Sequence, residues 1–385
     1  MNNFIFENKT KVYFGKGGVK EYLGCLLDHY GDTVMLAYGG GSIKLGGVYD
    51  EVMGILNAKG KRVVEFSGIM PNPTYAKVQE GARLARENHV DLILAVGGGS
   101  VSDCCKVISA QAKLDEDIWE MQYTRHTYPS EFIPLGTIVT VFGTGSEMNN
   151  GAVITHEEKK IKGALWGAQA EFAFLDPTYT LSVPMKQVIS GAFDTLSHAM
   201  ETYFGKPDEN NLSDDINEAV MRSVIRNIRI LLTNPENYDA RSELGWDSAM
   251  AENGILKIGK VTDFQCHMLE HQLGAYTNCN HGAGLAVIHP VLYRHIYKSG
   301  AARFARWTQN VWGIVPKGSD EETALAGIDA LSSFIKEIGL PTTFAELGIP
   351  ADTDFRAIAD STVLTAGCCK KLTHDEIYDI LCECK

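Results

Sequence analysis

The sequence predicts an α/β domain built on a parallel sheet, followed by an all-α domain. Two observations carry this. In the first half, short apolar runs alternate with helical patterns, and that alternation gives a parallel sheet with right-handed crossovers. Beyond Pro184 strand-like runs disappear and helical periodicity dominates. A chain of 385 residues is long for one core, so two domains are expected, 1–183 and 184–385.

The elements follow in order. Residues 34–38 form a compact apolar run that ends in Gly39-Gly40-Gly41-Ser42. Residues 47–59 read as helix and 62–66 as strand. Residues 74–88 are amphipathic, with Ala76, Val78, Ala82, Leu84 and Ala85 apolar. A buried strand over 91–96 ends again in glycines, Gly97-Gly98-Gly99-Ser100, and a helix is expected over 101–112. Residues 132–141 supply a further strand. Pro184 marks the boundary, because proline cannot continue a ladder and often opens a helix. Helices are then expected over 186–204, 212–232, 240–258 and 262–276, with 206–211 a polar loop.

Charge and composition exclude several classes. The formal net charge of −13 repels nucleic-acid phosphates. No run of 18 apolar residues exists, so no membrane span is expected, and the opening segment lacks the apolar stretch of a secretory leader. Nine cysteines, an odd number scattered or in adjacent pairs (Cys104-Cys105, Cys368-Cys369), do not make a disulfide framework. Cys382 and Cys384 lack a second cluster that would complete a zinc site. A reducing cytoplasm is the expected location.

The glycine runs bear on ligand binding. Gly97-Gly98-Gly99-Ser100-Val-Ser-Asp103 leaves a strand and opens a helix, which suits a pyrophosphate: glycine allows close backbone approach and the helix N-terminus offers free N–H groups. The G-x-G-x-x-G fingerprint is absent, so the domain is Rossmann-like rather than a standard example. At Gly39-Gly40-Gly41-Ser42 no acidic residue appears before Asp50. Such sites in NAD-specific folds carry an acid for the ribose 2′-hydroxyl, whereas glycine and serine leave room for a 2′-phosphate. NADP(H) is therefore expected, with Lys44 adding charge.

The helical half carries the metal chemistry. Asp194-x3-His198 and His267-x3-His271 are both i, i+4 pairs, which place two side chains on one helix face. His281-Gly282 follows. One carboxylate and three imidazoles suit a divalent first-row ion, Fe2+ or Zn2+. Asp194, His198, His267 and His281 complete a four-group site, which leaves His271 to relay protons or bond the substrate. A rival reading takes His267-Met-Leu-Glu-His271 as the H-x-x-E-H of a zinc protease, with Glu270 as base. A protease has no use for two glycine loops on a parallel sheet.

In this order and spacing, the glycine loops, Gly143-Thr144-Gly145-Ser146-Glu147-Met148-Asn149, Asp176-Pro177, and the Asp194, His198, His267, His271 and His281 pattern resemble the iron-containing (group III) alcohol dehydrogenases along nearly the whole chain. The resemblance points to the NADPH-dependent butanol dehydrogenase or broad aldehyde reductase branch, and implies a dehydroquinate synthase-like fold and a homodimer. By the same likeness Asp194, His198, His267 and His281 are the metal ligands. Gly39, Gly40, Ser42 and Asn72 meet the 2′-phosphate side, and Gly98, Gly99 and Ser100 hold the pyrophosphate. Asp103 lies near the nicotinamide, while Thr140, Thr144, Asn149, Lys162 and Tyr179 line the rest. Lys162, rather than Lys159 or Lys160, is expected just before a short strand leading to Asp176-Pro177. The implied reaction is hydride transfer between NADP(H) and an alcohol–aldehyde pair, with Asp103 and His271 as catalytic candidates. A polyol dehydrogenase on the same scaffold is the alternative within enzymes; a metal- and nucleotide-binding sensor without turnover is the alternative outside them.

Overall fold

A computed structural model describes residues 2–207, 209–366 and 369–385. Cys368 of the adjacent cysteine pair and Asp208 of the expected polar loop lie outside the described residues. The chain forms two compact units, Glu7–Pro184 and Met1–Phe6 with Met185–Lys385. The opening residues thus group with the helices, not with the sheet.

The first unit contains β1 (Lys11–Phe14), α1 (Gly18–Leu27), β2 (Thr33–Tyr38), α2 (Ser42–Leu45), α3 (Val48–Ala58), β3 (Arg62–Phe66), α4 (Tyr75–Glu87), β4 (Leu92–Gly97), α5 (Gly99–Gln111), β5 (Leu135–Val139), β6 (Gly151–His156), β7 (Ile161–Trp166) and β8 (Phe172–Leu175). Six strands make one parallel sheet in the order β1-β8-β5-β4-β2-β3. Successive side chains on a strand point to opposite faces, and both faces here are covered. Val34, Leu36, Leu92, Leu94 and Val96 pack with α1 and α3. Met35, Ala37, Ile93 and Ala95 pack with α4 and α5. This double burial is why the strands read as continuous apolar runs.

The order also fixes where a ligand goes. The chain leaves β2 for β3 on one side, then returns to β4 on the other. Such a reversal opens a crevice beyond the carboxyl ends of β2 and β4. Tyr38 pairs with Val96, so Gly39 and Gly97 leave adjacent strands at one level.

Some elements differ from expectation for local reasons. The strand expected over 132–141 is shorter, because Pro134 gives the ladder only its carbonyl, to the Ile93 N–H at 2.9 Å. β1 and the antiparallel β6–β7 hairpin are short or mixed in polarity and carry no clear apolar signature. Lys162 lies inside β7, which precedes β8, the short strand that reaches Asp176-Pro177.

The second unit consists of α6 (Met185–Tyr203), α7 (Leu212–Thr233), α8 (Tyr238–Glu252), α9 (Gln265–Thr277), α10 (His281–Ile296), α11 (Ala301–Trp312), α12 (Asp320–Glu337), α13 (Phe344–Leu347), α14 (Phe355–Ser361) and α15 (His374–Glu383). The helix expected over 240–258 stops at Glu252, and the chain turns through Gly254 (φ 94°) into a single 3-10 turn. α9 starts three residues later than expected because Phe264 adopts a left-handed φ of 54°. Among the described residues no helix is long and apolar enough to cross a membrane.

α6 is central to this unit. Phe193, Leu196, Met200 and Tyr203 are fully buried and recur at helical spacing; each such burial contributes about 2 kcal/mol. That stripe fixes the rotation of the helix. The adjacent stripe, Asp194, His198 and Glu201, is thereby held in the interior beside α9 and α10.

Candidate active site

Three helices bring the ligand candidates together. Asp194 and His198 come from the middle of α6, His267 from the first turn of α9, and His281 from the first position of α10. The Asp194 Oδ1 atom lies 3.4 Å from His281 Nε2, 3.5 Å from His267 Nε2 and 3.7 Å from His198 Nε2. These separations are long for hydrogen bonds. Ligand atoms at about 2.1 Å from a tetrahedral ion stand about 3.4 Å from one another. Asp194 Oδ1 and His267 Nε2 are buried without a hydrogen-bond partner, a costly state unless something else satisfies them. The donor set and its spacing fit a divalent ion.

The electrostatics agree. Burial pushes the Asp194 carboxyl up, but His198, His281 and His267 outweigh it and hold it well below the usual carboxylate range. Burial lowers His198 below its ordinary value, which favours the neutral imidazole that a metal requires. Burial also acts to lower His267, yet Glu201 and Asp194 prevail and raise it to about 10.

Two carboxylates, Glu201, which was not expected as a site residue, and the Glu270 of the protease reading, sit behind the imidazoles. His267 Nδ1–H donates to Glu201 on α6, and His281 Nδ1–H donates to Glu270 on α9. Glu201 shares a helix stripe with Asp194 and His198, at seven and three residues, and that spacing was the available signal. Glu270 is engaged with His281, so it is not the base that the protease reading needs. His271 groups with Glu270 and His281, whereas His267 groups with Asp194 and His281. Its ring lies 5.5 Å from that of His281 and 5.9 Å from that of His267.

The His-Gly step has a steric cause. A Cβ added to Gly282 would stand 2.2 Å from the Ser190 carbonyl oxygen. The first turn of α10 approaches α6 that closely only because residue 282 has no side chain. Asn280 caps this turn, accepting the Ala283 N–H at 3.1 Å.

In the sheet unit several of the expected cofactor residues follow the carboxyl ends of β2, β4 and β5. Gly98 is the N-cap of α5 in extended conformation, with no side-chain cap, so the first N–H groups of the helix stay open to an anion. A Cβ on Gly99 would meet Thr144 Oγ1 at 2.3 Å, which holds the Thr144 loop against the helix start. Ser100 follows in that first turn. Thr140 follows β5, and its N–H donates to Gly97 O at 3.0 Å. Gly39 and Gly40 follow β2, Ser42 opens α2, and Asn72 takes a left-handed φ of 54°. Lys44 lies 4.4 Å over the Tyr49 ring.

Other members have internal partners. Asp103 accepts from the Ser146 hydroxyl and from the Val153 N–H at 2.8 Å. Asn149 Oδ1 accepts from the buried Lys106 Nζ at 2.8 Å, a lysine the sequence did not flag. Tyr179 donates its hydroxyl to Glu51 at 2.7 Å, and Lys162 is buried.

Two family models match: iron-containing alcohol dehydrogenase over 9–177, and Fe-containing alcohol dehydrogenase family, C-terminal, over 188–384. The chain belongs to the iron-containing alcohol dehydrogenase family. It is 38% identical to the NADH-dependent butanol dehydrogenase A of Clostridium acetobutylicum over 91% of each chain. It is 37% identical to an NADPH-dependent aldehyde reductase of Escherichia coli, over 91% of this chain and 90% of the relative. A crystal structure of the NADH-dependent butanol dehydrogenase A of Thermotoga maritima superposes with a TM-score of 0.94 at 33% identity, covering 100% of this chain and 99% of that one. The fold is accordingly of the dehydroquinate synthase-like kind, and the reaction class is the interconversion of alcohols and aldehydes.

Proposed function

We propose that this member of the family is a metal-dependent, NADP(H)-linked reductase of short aliphatic aldehydes, working in reverse on primary alcohols such as butanol. The observation that carries the metal half is the ring of three Nε2 atoms at 3.4–3.7 Å around one unpartnered Asp194 oxygen. Asp194, His198, His267 and His281 would hold the ion, with Fe2+ the proposed metal and Zn2+ a chemically permitted one. When bound, the ion supplies Lewis acidity toward the carbonyl oxygen, and the dinucleotide supplies the hydride.

The chain's own residues supply the rest. Gly98, Gly99 and Ser100 offer backbone N–H groups to the pyrophosphate, and Thr140 and Thr144 shape its surroundings. Asp103 and Asn149 fasten these loops to α5, and the family resemblance assigns Tyr179 and Lys162 to the rest of the dinucleotide. Gly39, Gly40, Ser42 and Asn72 receive the ribose end, where no carboxylate follows β2 to repel a 2′-phosphate. Relatives named for NADH and for NADPH exist at similar identity, so this absence is what supports NADP(H). His271 holds the proton that reaches the alcohol oxygen, a task typically worth about 10²–10⁴ in rate.

The test is oxidation of NADPH and NADH with butyraldehyde, using apoprotein reloaded with Fe2+ under argon, with Zn2+, or left bare. Metal-dependent turnover with higher kcat/KM for NADPH is expected. Turnover that ignores the metal, or that favours NADH, would overturn the corresponding half. His267→Ala should lose metal and turnover while keeping NADPH affinity. His271→Ala should keep the metal and lose rate; metal loss in that variant would make His271 a ligand.

A further inference from the structure

Glu201 is 1% exposed and Glu270 is fully buried. A buried carboxylate costs several kcal/mol unless it is paired and hydrogen-bonded. Both are bonded, and to the same kind of group: the Nδ1–H of an imidazole whose Nε2 faces Asp194. Neither carboxylate oxygen in these bonds can share the ion with Asp194, because Nδ1 and Nε2 lie on different edges of the ring.

We infer that Glu201 and Glu270 are positioning residues, each carried on one helix and fixing the metal-facing imidazole of the next. Glu201 on α6 holds His267 on α9. Glu270 on α9 holds His281 on α10. The inference rests on the ligand set proposed above. A carboxylate accepting the Nδ1 proton keeps that proton off Nε2, fixes the ring plane, and makes Nε2 a stronger donor.

Glu201 does a second job. It also accepts the Cys266 N–H at 2.6 Å and the His267 N–H at 3.3 Å. The N-cap residue of α9, Phe264, offers no side-chain cap of its own, so a carboxylate from α6 caps this helix and sets its first turn. One residue thereby ties the position of the α9 ligand to the two ligands on α6. Glu270 works differently. A Cβ at Gly284 would stand 3.0 Å from Glu270 Cγ, so the side chain is pressed between α9 and the first turn of α10 and has little freedom to leave His281.

Structure also groups Glu270, His271 and His281, which would make Glu270 a direct ligand. The hydrogen bond to Nδ1 of His281 argues for the outer role instead.

The experiment measures Zn2+ and Co2+ affinity by chelator competition, together with the visible absorption of the Co2+ form. The variants are Glu201→Gln, Glu201→Leu, Glu270→Gln and Glu270→Leu, with His267→Ala and His271→Ala as controls. NADPH affinity and the melting temperature of the apoproteins report folding. The leucine variants should bind metal about 10–100-fold more weakly, with a shifted Co2+ spectrum and unchanged NADPH affinity. The near-isosteric glutamine variants keep an acceptor oxygen, so they should recover part of the affinity and decide the matter where leucine prevents folding. Glutamine variants with wild-type affinity and spectrum would overturn the inference, provided that His267→Ala has lost the metal. If His267→Ala keeps it, the ligand assignment itself fails. Metal loss in Glu270→Gln as complete as in His267→Ala would make Glu270 a direct ligand and overturn its outer role.

Discussion

Replacing Gly282 by alanine tests whether helix packing, and not only ligand identity, builds the metal centre. The added Cβ would sit 2.2 Å from Ser190 O, 2.7 Å from Ser190 Oγ and 2.9 Å from Ser190 C. The nearest of these is backbone, so no side-chain rotation relieves it. Reaching ordinary contact requires a displacement of about 1 Å between the first turn of α10 and α6, and overpacking of this kind costs about 1–3 kcal/mol. His281 is the preceding residue and moves with the turn. A metal site tolerates deviations of about 0.2 Å in its bonds, so the displacement removes His281 from the set around Asp194. Gly282→Ala should thus lower metal affinity about tenfold or more, lower the melting temperature by a few degrees, and leave NADPH binding in the sheet unit unchanged. Chelator competition, calorimetry and nucleotide fluorescence read these three quantities. An alanine variant that binds metal as tightly as the parent would refute the claim that close approach of α10 to α6 sets the site.

Two further outcomes are expected. Gly40→Asp should lower kcat/KM for NADPH far more than for NADH: a Cβ at Gly40 meets nothing within 4 Å, so the fold accepts the side chain and the readout is electrostatic. An unchanged cofactor ratio would remove the 2′-phosphate argument. Asp247 on α8 is buried with Oδ2 unpartnered, and burial, reinforced by Glu243, pushes its pKa up to about 7. Because this lies above the unfolded value of about 3.9, the stability contribution is fully present below pH 4 and is lost as pH rises through 7. The penalty at pH 8 is at most about 4 kcal/mol. Asp247→Asn should therefore raise the melting temperature at pH 8 and change it little at pH 4; parallel curves across that range would contradict the assignment.

Legibility in the sequence followed physical rules that differ between the two units. β2 and β4 were readable because both faces are covered, so apart from Thr33 the residues are apolar and the run stands out. β1 was not, because a four-residue strand carries too few positions for a pattern; β8 entered only through the family resemblance, as the short strand leading to Asp176-Pro177. Both i, i+4 pairs, Asp194–His198 and His267–His271, were readable, since helical spacing is a property of the chain alone. Glu201 was missed because its partner is 66 residues away on another helix. Nothing in the local pattern distinguishes a buried glutamate from one facing solvent. Lys106 was missed for the same reason: its bonds reach Asn149 and Gly151, across more than 40 residues.

The two kinds of side chain at the metal centre therefore place different demands on the chain. A ligand needs only the right atom at the right end of a short side chain, and spacing within one helix supplies half the geometry. The other half is relative helix position, and it is set by groups that never face the ion. Gly282 permits the approach of α10 to α6, Asn280 caps its first turn, and Glu201 caps α9 from α6. Each acts on a helix N-terminus, within three residues of His267 or His281. Both histidines sit in the first turn of their helices, where N–H groups lack intrahelical partners and the backbone can be held from outside. A ligand in mid-helix, such as His198, is positioned by the apolar stripe of α6. Substitutions at Gly282 or Glu201 should thus impair metal binding through His267 and His281 while leaving the Asp194–His198 pair in place.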